Sequence, residues 1–530
     1  MPISLQGRRR WLIMPVLALG ISLIIVDSTI VNVALPQIIA GLHLDLSQAE
    51  WTNSLYSLVF AALLIAVGAT ADRVGRRKLF IIGAIVFALA SVMAALATTA
   101  GLLLGARALQ GVGGALILPT SLALVNANFR GRDRATAFGI WGATIAGMAA
   151  VGPVLGGWLT TNFSWRLIFW INPPLALIVI IGALLVVPES KEPDAPGLRD
   201  WVGVLLISSG LALLIFGLIE GERYGWWHAT EPFDLLGGEW PLPGSPVPWA
   251  LGTAIALLAG FVAWTTWRER HGRATLINLR LFRLPSFRWG GVTILIVSLG
   301  EFGVIFVIPL FLQNVLGMSA LGAGLVILAL AVGALTSGGA AAPVSRRLGG
   351  HRIVQLGMVL EIVGILLFAL VVEPGVSPWM FVAPLFIYGL GVGFATAQLT
   401  NVALAEVPIT ESGQASAVQS TLRQVGSALG TAVLGVALAV ATTTHVTSSL
   451  TGEGVPHDQA VSIADAVKSS AGTAIPELSH APATAHLAPA LDQSFADAVT
   501  TVGYVAAIFV FLGLLASFRI PARRGDPDAR

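Results

Sequence analysis

Gly68-Ala69-Thr70-Ala71-Asp72-Arg73-Val74-Gly75-Arg76-Arg77-Lys78 is a short polar hinge between two apolar runs, 52 to 71 and 79 to 98. Each run is about twenty residues long, enough at about 1.5 Å per residue to cross the roughly 30 Å hydrocarbon core of a bilayer. The cations Arg73, Arg76, Arg77 and Lys78 mark the turn as cytoplasmic, because Lys and Arg gather on that side of a membrane. Gly68 lets a neighbouring helix approach, Gly75 permits a tight turn, and Asp72 is placed to pair with an arginine or to cap a helix. The charge rule alone explains the cations but not the placed glycines and aspartate.

Outward from the hinge, apolar runs at 11 to 35, 102 to 125, 135 to 159 and 166 to 187 complete a first group of six. The polar segment from Pro188 to Asp200 precedes two runs, 201 to 219 and 249 to 267. Six more follow at 289 to 312, 320 to 343, 353 to 372, 379 to 402, 414 to 441 and 498 to 518. A chain of 530 residues with 11% charged and 55% hydrophobic residues therefore reads as an all-α polytopic membrane protein of fourteen transmembrane helices. Its expected divisions are 1–187, 188–288 and 289–530, the last with a long external segment, 442–497, in which Asp458 to Lys468 suits a surface helix. Arg8, Arg9 and Arg10 before the run from Trp11 to Leu35 imitate a signal peptide, but that run is too long and reads as a first span. With the amino terminus inside, 25 of the 30 Lys and Arg fall on the cytoplasmic side, which supports an even number of spans with both termini cytoplasmic. Trp226, Trp227 and Trp240, in the other long external segment, suit an interfacial anchor.

Composition also excludes. A formal charge of +2, with its cations at span ends, gives no footprint for nucleic acid. The absence of cysteine removes disulfides, thiolate metal sites and a cysteine nucleophile, and no metal or cofactor is expected. There is no GxxxxGK[ST] loop and no soluble segment long enough for an ATPase domain, so any transport must draw on an ion gradient and the chain is not expected to be an enzyme.

Three further motifs carry chemistry. The fourth run contains Arg107-Ala-Leu-Gln110-Gly111-Val-Gly113-Gly114, and residues 107, 110, 111 and 114 share one helical face. A guanidinium inside a span is costly unless it meets a partner or a wet cavity. The fifth run holds Gly152-Pro153-Val-Leu-Gly156-Gly157, where the proline bends the helix and the glycines flatten a face, a pattern that serves either helix packing or transport direction. The first run contains Asp27-Ser-Thr29-Ile-Val-Asn32-Val-Ala-Leu35-Pro36.

Together these runs resemble the fourteen-span drug:proton antiporters of the major facilitator superfamily, the EmrB/QacA type. The hinge is similar to that superfamily's loop signature, and its motif residues here are Gly68, Asp72, Arg73, Gly75, Arg76 and Arg77. Arg107 lies in a run similar to the antiporters' span-4 motif, in which the arginine is linked to proton transfer, and the loop Arg346-Arg347-Leu-Gly349-Gly350-His351-Arg352 is a degenerate echo of the hinge. The resemblance implies the major facilitator fold, two six-helix bundles plus two extra central spans, with substrate near the midplane and rocking halves. It also implies a proton-coupled efflux transporter of small amphipathic or cationic compounds in the cell (plasma) membrane, monomeric, needing no cofactor beyond the proton gradient. A dedicated exporter of one metabolite, amino acid, lipid or antibiotic would carry the same motifs, and a non-transporting sensor is a more distant alternative.

The embedded ionisable residues are Asp27, Arg107, Glu301, Glu361 and Arg423. Asp27 lies roughly 24 Å from the inner end of the first run and Arg107 about 8 Å below the outer end of the fourth, a common depth. Glu301, roughly 18 Å into its run, suits proton or cation binding or a hydrogen-bonded neutral glutamate equally. Asp27, Arg107 and Glu301 are therefore the proton-coupling candidates, while Glu361 and Arg423 read as structural, Arg423 with Glu406 or Glu411. Asn32, Asn53, Tyr56, Gln110, Gln313, Asn314, Gln398 and Asn401 are the polar candidates for a substrate cavity. A reporter fused after Arg530 is expected in the cytoplasm and one inserted at Gly237 outside; an external carboxyl terminus would overturn the fourteen-span reading.

Overall fold

A computed structural model describes residues 7–44, 46–191, 200–235, 238–273, 275–408, 411–470, 472–481 and 484–521. Fourteen helical segments among them are long and apolar enough to cross a membrane. The first six spans are α1 (Ile13–Leu42), α2 (Leu46–Val74), α3 (Arg76–Ala95), α4 (Ala100–Asn128), α5 (Gly131–Asn162), and α6 (Leu167–Trp170) continued by α7 (Asn172–Val186). Then come α8 (Trp201–Ile219), a single turn α9 (Gly221–Tyr224) and α10 (Pro246–Arg270). The last group is α11 (Pro285–Asn314), α12 (Ala320–Leu348), α13 (Gly350–Val371), α14 (Val382–Ala403) and α15 (Ser412–Gly452). The short α16 (His457–Ser469) and α17 (Ile475–His480) follow, and α18 (Ala488–Ser517) closes the chain. A two-residue strand pair, Asp234–Leu235 with Gly238–Glu239, lies in the α9–α10 loop.

Local chemistry sets the ends of these helices. Thr99, Asp200, Ser245 and Ser319 each accept a backbone N–H in the first turn of α4, α8, α10 and α12, supplying partners to donors that the helix leaves free. Gly75 and Gly349, at φ 124° and 84°, make the sharp α2–α3 and α12–α13 turns, so the degenerate second hinge keeps the backbone of the first. The helix α15 runs 41 residues, on the order of 60 Å and about twice the hydrocarbon thickness, so it projects beyond the bilayer. The surface helix read at Asp458 to Lys468 is α16, which buries Ala460, Ile463, Ala464 and Val467 in the same core as Val446 and Leu450 of α15.

Lipid is as apolar as leucine, so helices in a bilayer associate through close packing and polar contacts rather than through water exclusion. The first six spans pack as one bundle and α11 to α15 with α18 as another. They meet where α5 lies along α12 and where α2 and α4 approach α15. Along the α5–α12 seam a side chain at Gly139 would strike the carbonyl of Gly338, and Gly147 receives Leu335. Further along, Gly324 receives Val154 and Gly157 faces Leu321. The inserted spans α8 and α10 pack on each other, with α8 touching both α2 and α15.

Asp200 ties the inserted pair together at the arginine-rich face. It is 1% exposed. Its Oδ1 accepts from Gly203 N at 3.1 Å and from Trp264 Nε1 of α10 at 2.8 Å. Its Oδ2 accepts from Leu276 N at 3.3 Å and lies 3.7 Å from Arg268. Removing one member of a buried charged pair leaves the other uncompensated, a loss of about 3–5 kcal/mol. Asp200→Ala is therefore expected to lower the melting temperature of detergent-purified protein by several degrees, and Asp200→Asn by less, because the amide keeps one acceptor oxygen. Equal melting curves for wild type and Asp200→Ala would show that Asp200 does not brace the inserted spans.

Candidate functional site

An enclosed polar network lies within the amino-terminal bundle, at a depth where the surroundings are apolar. Asp27 on α1 and Arg107 and Gln110 on α4 are each 0% exposed. Arg107 Nη1 donates to Asp27 Oδ2 at 2.5 Å and to Gln110 Oε1 at 2.8 Å, and its Nε donates to the carbonyl of Thr52 at 2.9 Å. The other carboxylate oxygen, Oδ1, accepts from Gln110 Nε2 and from Asn172 Nδ2, both at 2.9 Å. Ser91 Oγ accepts from the same two amides and donates to the Phe87 carbonyl. The guanidinium carbon sits 4.4 Å from the centroid of the Tyr56 ring, a cation–π contact. Three donors and no acceptor thus face Asp27, the geometry of a carboxylate rather than of a carboxylic acid. Asn172, which opens α7 beside Pro173, belongs to the network although nothing in its own stretch of sequence marks it.

The glycine motif of α5 packs against the α1 segment that carries Asp27. A Cβ at Gly152 would run into Thr29, and one at Gly156 into Ile30. Pro153 lies inside α5, and Gly157 faces α12 instead.

The α2–α3 hinge forms the contact between the two bundles at the arginine-rich face. Asp72 is 0% exposed. Its oxygens accept from the backbone N–H groups of Gly413 and Gln414, at 3.0 and 3.1 Å, in the first turn of α15. Arg76 holds the same carboxylate through Nε at 2.9 Å and Nη2 at 2.6 Å. Gly68, one turn before Asp72, permits the approach, since a side chain there would overlap Ala417. Glu189, after α7, accepts from Arg77 N and Lys78 N at 3.0 and 3.1 Å, so a carboxylate completes the first turn of α3. Arg77 also donates to the Val187 carbonyl, and Arg73 is partly buried. A second bond crosses the halves here, from Arg134 Nε on α5 to Asn401 Oδ1 on α14 at 3.2 Å.

The carboxy-terminal bundle holds its own buried charges. Arg423 lies 3.9 Å from Glu301, which is 4% exposed. It does not pair with Glu406, which accepts from Ser286, or with Glu411, which accepts from Asn278. The reason is depth: Arg423 lies eleven residues into α15, about 16 Å from its start, whereas both other glutamates precede that helix. Glu361 is fully buried on α13, where it packs against Gly391 of α14. Arg423 also lines a narrow cleft between the bundles with Leu122, Trp141, Ile294, Thr400 and Gln419.

The polar cavity candidates lie elsewhere. Tyr56 and Gln110 are enclosed in the Asp27 network, Gln398 and Asn401 sit in the last turns of α14 at the arginine-rich face, and Gln313 and Asn314 end α11 at the opposite face. The side chains of Asn32 and Asn53 fall outside the described residues. A polar residue near the end of a span serves the interface or its helix terminus as readily as a cavity. No group of His, Asp or Glu able to hold a metal occurs among the described residues.

Two six-span bundles facing each other across such a cleft, each with a buried charged network, have the architecture of a membrane transporter. The chain belongs to the Major Facilitator Superfamily, whose model matches residues 17–431. It is 36% identical over 438 residues, 81% of this chain and 72% of the relative, to the "Probable actinorhodin transporter" of Streptomyces coelicolor. It is 33% identical over 430 residues, 81% of this chain and 80% of the relative, to the multidrug efflux pump LfrA of Mycolicibacterium smegmatis. The tetracenomycin C resistance and export protein of Streptomyces glaucescens is 31% identical over 443 residues, 82% of this chain and 77% of that one. The crystal structure of the human organic anion transporter MFSD10 (TETRAN) matches with a TM-score of 0.58 at 14% identity, covering 95% of this chain and 100% of that one, a likeness of fold.

Because the chain has no cysteine, single introduced cysteines report without background. A cysteine at Ala417, 0% exposed beneath Gly68, is expected to react slowly with a membrane-impermeant maleimide in the wild type and at least several-fold faster when combined with Asp72→Asn. Unchanged labelling would show that Asp72 does not hold the bundles together.

Proposed function

We propose that the protein exports small amphipathic or cationic compounds in exchange for protons, with Asp27 as a proton carrier. The observation that carries this reading is the enclosed carboxylate held by Arg107, Gln110 and Asn172. Helix packing alone does not require a buried ion pair, and an apolar replacement of such a pair is often as stable or more so. Protonation of Asp27 would remove the charge that holds Nη1 of Arg107 and turn an acceptor oxygen into a donor facing three donors. The network would then loosen between α1 and α4, next to the α5 glycines that pack on α1. The proton gradient is the energy source, with no cofactor. The arginine-rich face is cytoplasmic, both termini lie inside, and the monomer works in the cell membrane. A relative named a multidrug efflux pump and another named a multidrug resistance protein support this reading.

Two relatives named for a single antibiotic, actinorhodin and tetracenomycin C, favour a second reading, a dedicated exporter of one compound. A panel of unrelated dyes tested for energy-dependent efflux separates the two, since a dedicated exporter ignores most of the panel.

Asp27→Asn, the nearly isosteric neutral variant, is expected to reduce proton-driven ethidium uptake into everted vesicles at least tenfold at normal membrane yield. Arg107→Ala is expected to alter the pH dependence of transport. Wild-type uptake and pH profile in Asp27→Asn would exclude Asp27 as the carrier, whereas low folded yield with normal activity per molecule would mark the pair as structural.

A further inference from the structure

The carboxy-terminal bundle contains two buried carboxyl groups for one guanidinium. Glu301 on α11, Glu361 on α13 and Arg423 on α15 approach one another near mid-depth, each reached eleven to sixteen residues into its helix, about 16–24 Å. Arg423 Nη1 is 3.9 Å from Glu301 Oε2, beyond hydrogen-bond length, and that oxygen has no hydrogen-bond partner. The Thr396 side chain hydrogen-bonds Glu301, and the Tyr388 hydroxyl donates to the Glu301 backbone carbonyl at 3.1 Å rather than to either carboxyl group. Glu361 is 0% exposed and neither of its oxygens is hydrogen-bonded. The space around it is tight, since a Cβ at Gly391 of α14 would touch the Glu361 side chain.

The neighbouring helices bring no other described charge to this depth. Arg288 is in the first turn of α11, and Arg347 and Arg352 flank the α12–α13 turn. Asp492 and Asp497 lie in the first three turns of α18, Arg519 follows its end, and α14 carries no charged residue. With one positive charge among two carboxyl groups, ionisation of both would leave a buried negative charge uncompensated, at a cost of several kcal/mol. Together with Arg423 the two carboxyl groups are neutral overall when they hold one proton.

A second observation shows how a proton would reach water. Ser412, Ser416, Gln419, Ser420 and Arg423 follow one another along one side of α15 at helical spacing. The first four are buried, and Ser412 Oγ, Ser416 Oγ, Ser420 Oγ and both polar atoms of Gln419 have no hydrogen-bond partner. Buried hydroxyls and amides are ordinarily paired, so a file of unpaired ones is a feature to be explained. The file starts beside Gly413 and Gln414, where Asp72 holds α15, and it ends at the cleft.

We propose that Glu301 and Glu361, with Arg423 as their counter-charge, form a second proton-carrying site that discharges along the polar side of α15. The Glu361 carboxyl O–H gives its proton to the Glu301 carboxylate, and Glu361 is left ionised beside Arg423. The proton then passes from Glu301 to water admitted along the Ser420, Gln419, Ser416 and Ser412 file when Asp72 releases α15 and a cationic substrate enters the cleft beside Arg423, replacing the positive charge that leaves. Glu361 is reprotonated from the opposite side in the next half-cycle. This rests on the proton-driven reading above, and it adds a second proton to each cycle beside that of Asp27.

The test is the zero-flux balance point of purified protein in liposomes, with ethidium as the probe. One proton fewer per ethidium lowers the ethidium gradient sustained by a pH difference of one unit by about tenfold, because each pH unit per proton is one decade. Glu361→Gln, which keeps the shape of the neutral acid, is expected to show that tenfold fall. A static buried glutamate would leave the balance point where the wild type has it, and that result would overturn the second site. Should Glu361→Gln fail to insert, Asp27→Asn protein in weakly buffered detergent answers instead. Ethidium binding to it still releases protons if the second site exists, and the absence of release overturns the proposal. If the wild type itself sustains no ethidium gradient under a pH difference, the proton-driven reading falls first, which the variants alone cannot cause.

Discussion

One carboxylate at one helix start joins the two bundles at the arginine-rich face. The first turn of α15 offers backbone N–H groups that no carbonyl of its own helix can reach, together with the positive end of its dipole, and Asp72 of the other bundle occupies that position. Such a contact contributes a few tenths to about 2 kcal/mol by its dipole component, more with its charge-assisted hydrogen bonds. That is comparable with the gap between two populated conformations, so the contact biases an equilibrium without locking it. Gly68 and Gly413 are small because Ala417 and the Asp72 carboxylate come this close, Gly75 makes the turn at positive φ, and Arg76 keeps the carboxylate aimed.

The inserted spans reach the same point. Gln414 gives its backbone N–H to Asp72, and its side-chain oxygen accepts from the backbone N–H of Asn278, in the segment that follows α10. Asn278 also donates to Glu411, while Asp200 anchors that segment through Leu276. Any motion of the start of α15 is therefore felt by α8 and α10, which makes the extra pair part of the moving frame rather than a lipid-facing ornament. Each bundle meanwhile keeps one enclosed charge cluster at mid-depth, around Asp27 in the first and Glu301 in the second.

What the sequence discloses follows from what a bilayer imposes. Span number is legible because hydrocarbon demands about twenty apolar residues per crossing, and all fourteen runs correspond to helices. The common depth of Asp27 and Arg107 follows from counting along two helices of opposite direction, and the structure sets them 2.5 Å apart. Counting did not disclose which helix faces meet. Arg423 pairs with Glu301, 122 positions away, because α11 and α15 pack side by side, a fact with no local signature. The burial of Glu361 against Gly391, where α13 packs on α14, is likewise invisible to periodicity. The polarity of Gln398 and Asn401 signals a need for partners: Asn401 donates to Gln398 and accepts from Arg134 at the seam, while the side-chain nitrogen of Gln398 is buried without one.

The seam between α5 and α12 carries a mechanical meaning. Bumps and hollows alternate along it, with Leu335 set in the hollow at Gly147, Val154 in the hollow at Gly324, and two bare backbones touching at Gly139 and Gly338. A ladder of this kind cannot slide by one rung without driving leucine or valine into backbone, but it can roll about its own length. It is an axle with keyed teeth. Because that axis crosses the membrane, a roll about it exposes neither face by itself, and an exchange of faces requires the ladder to tilt and unseat its rungs from one end.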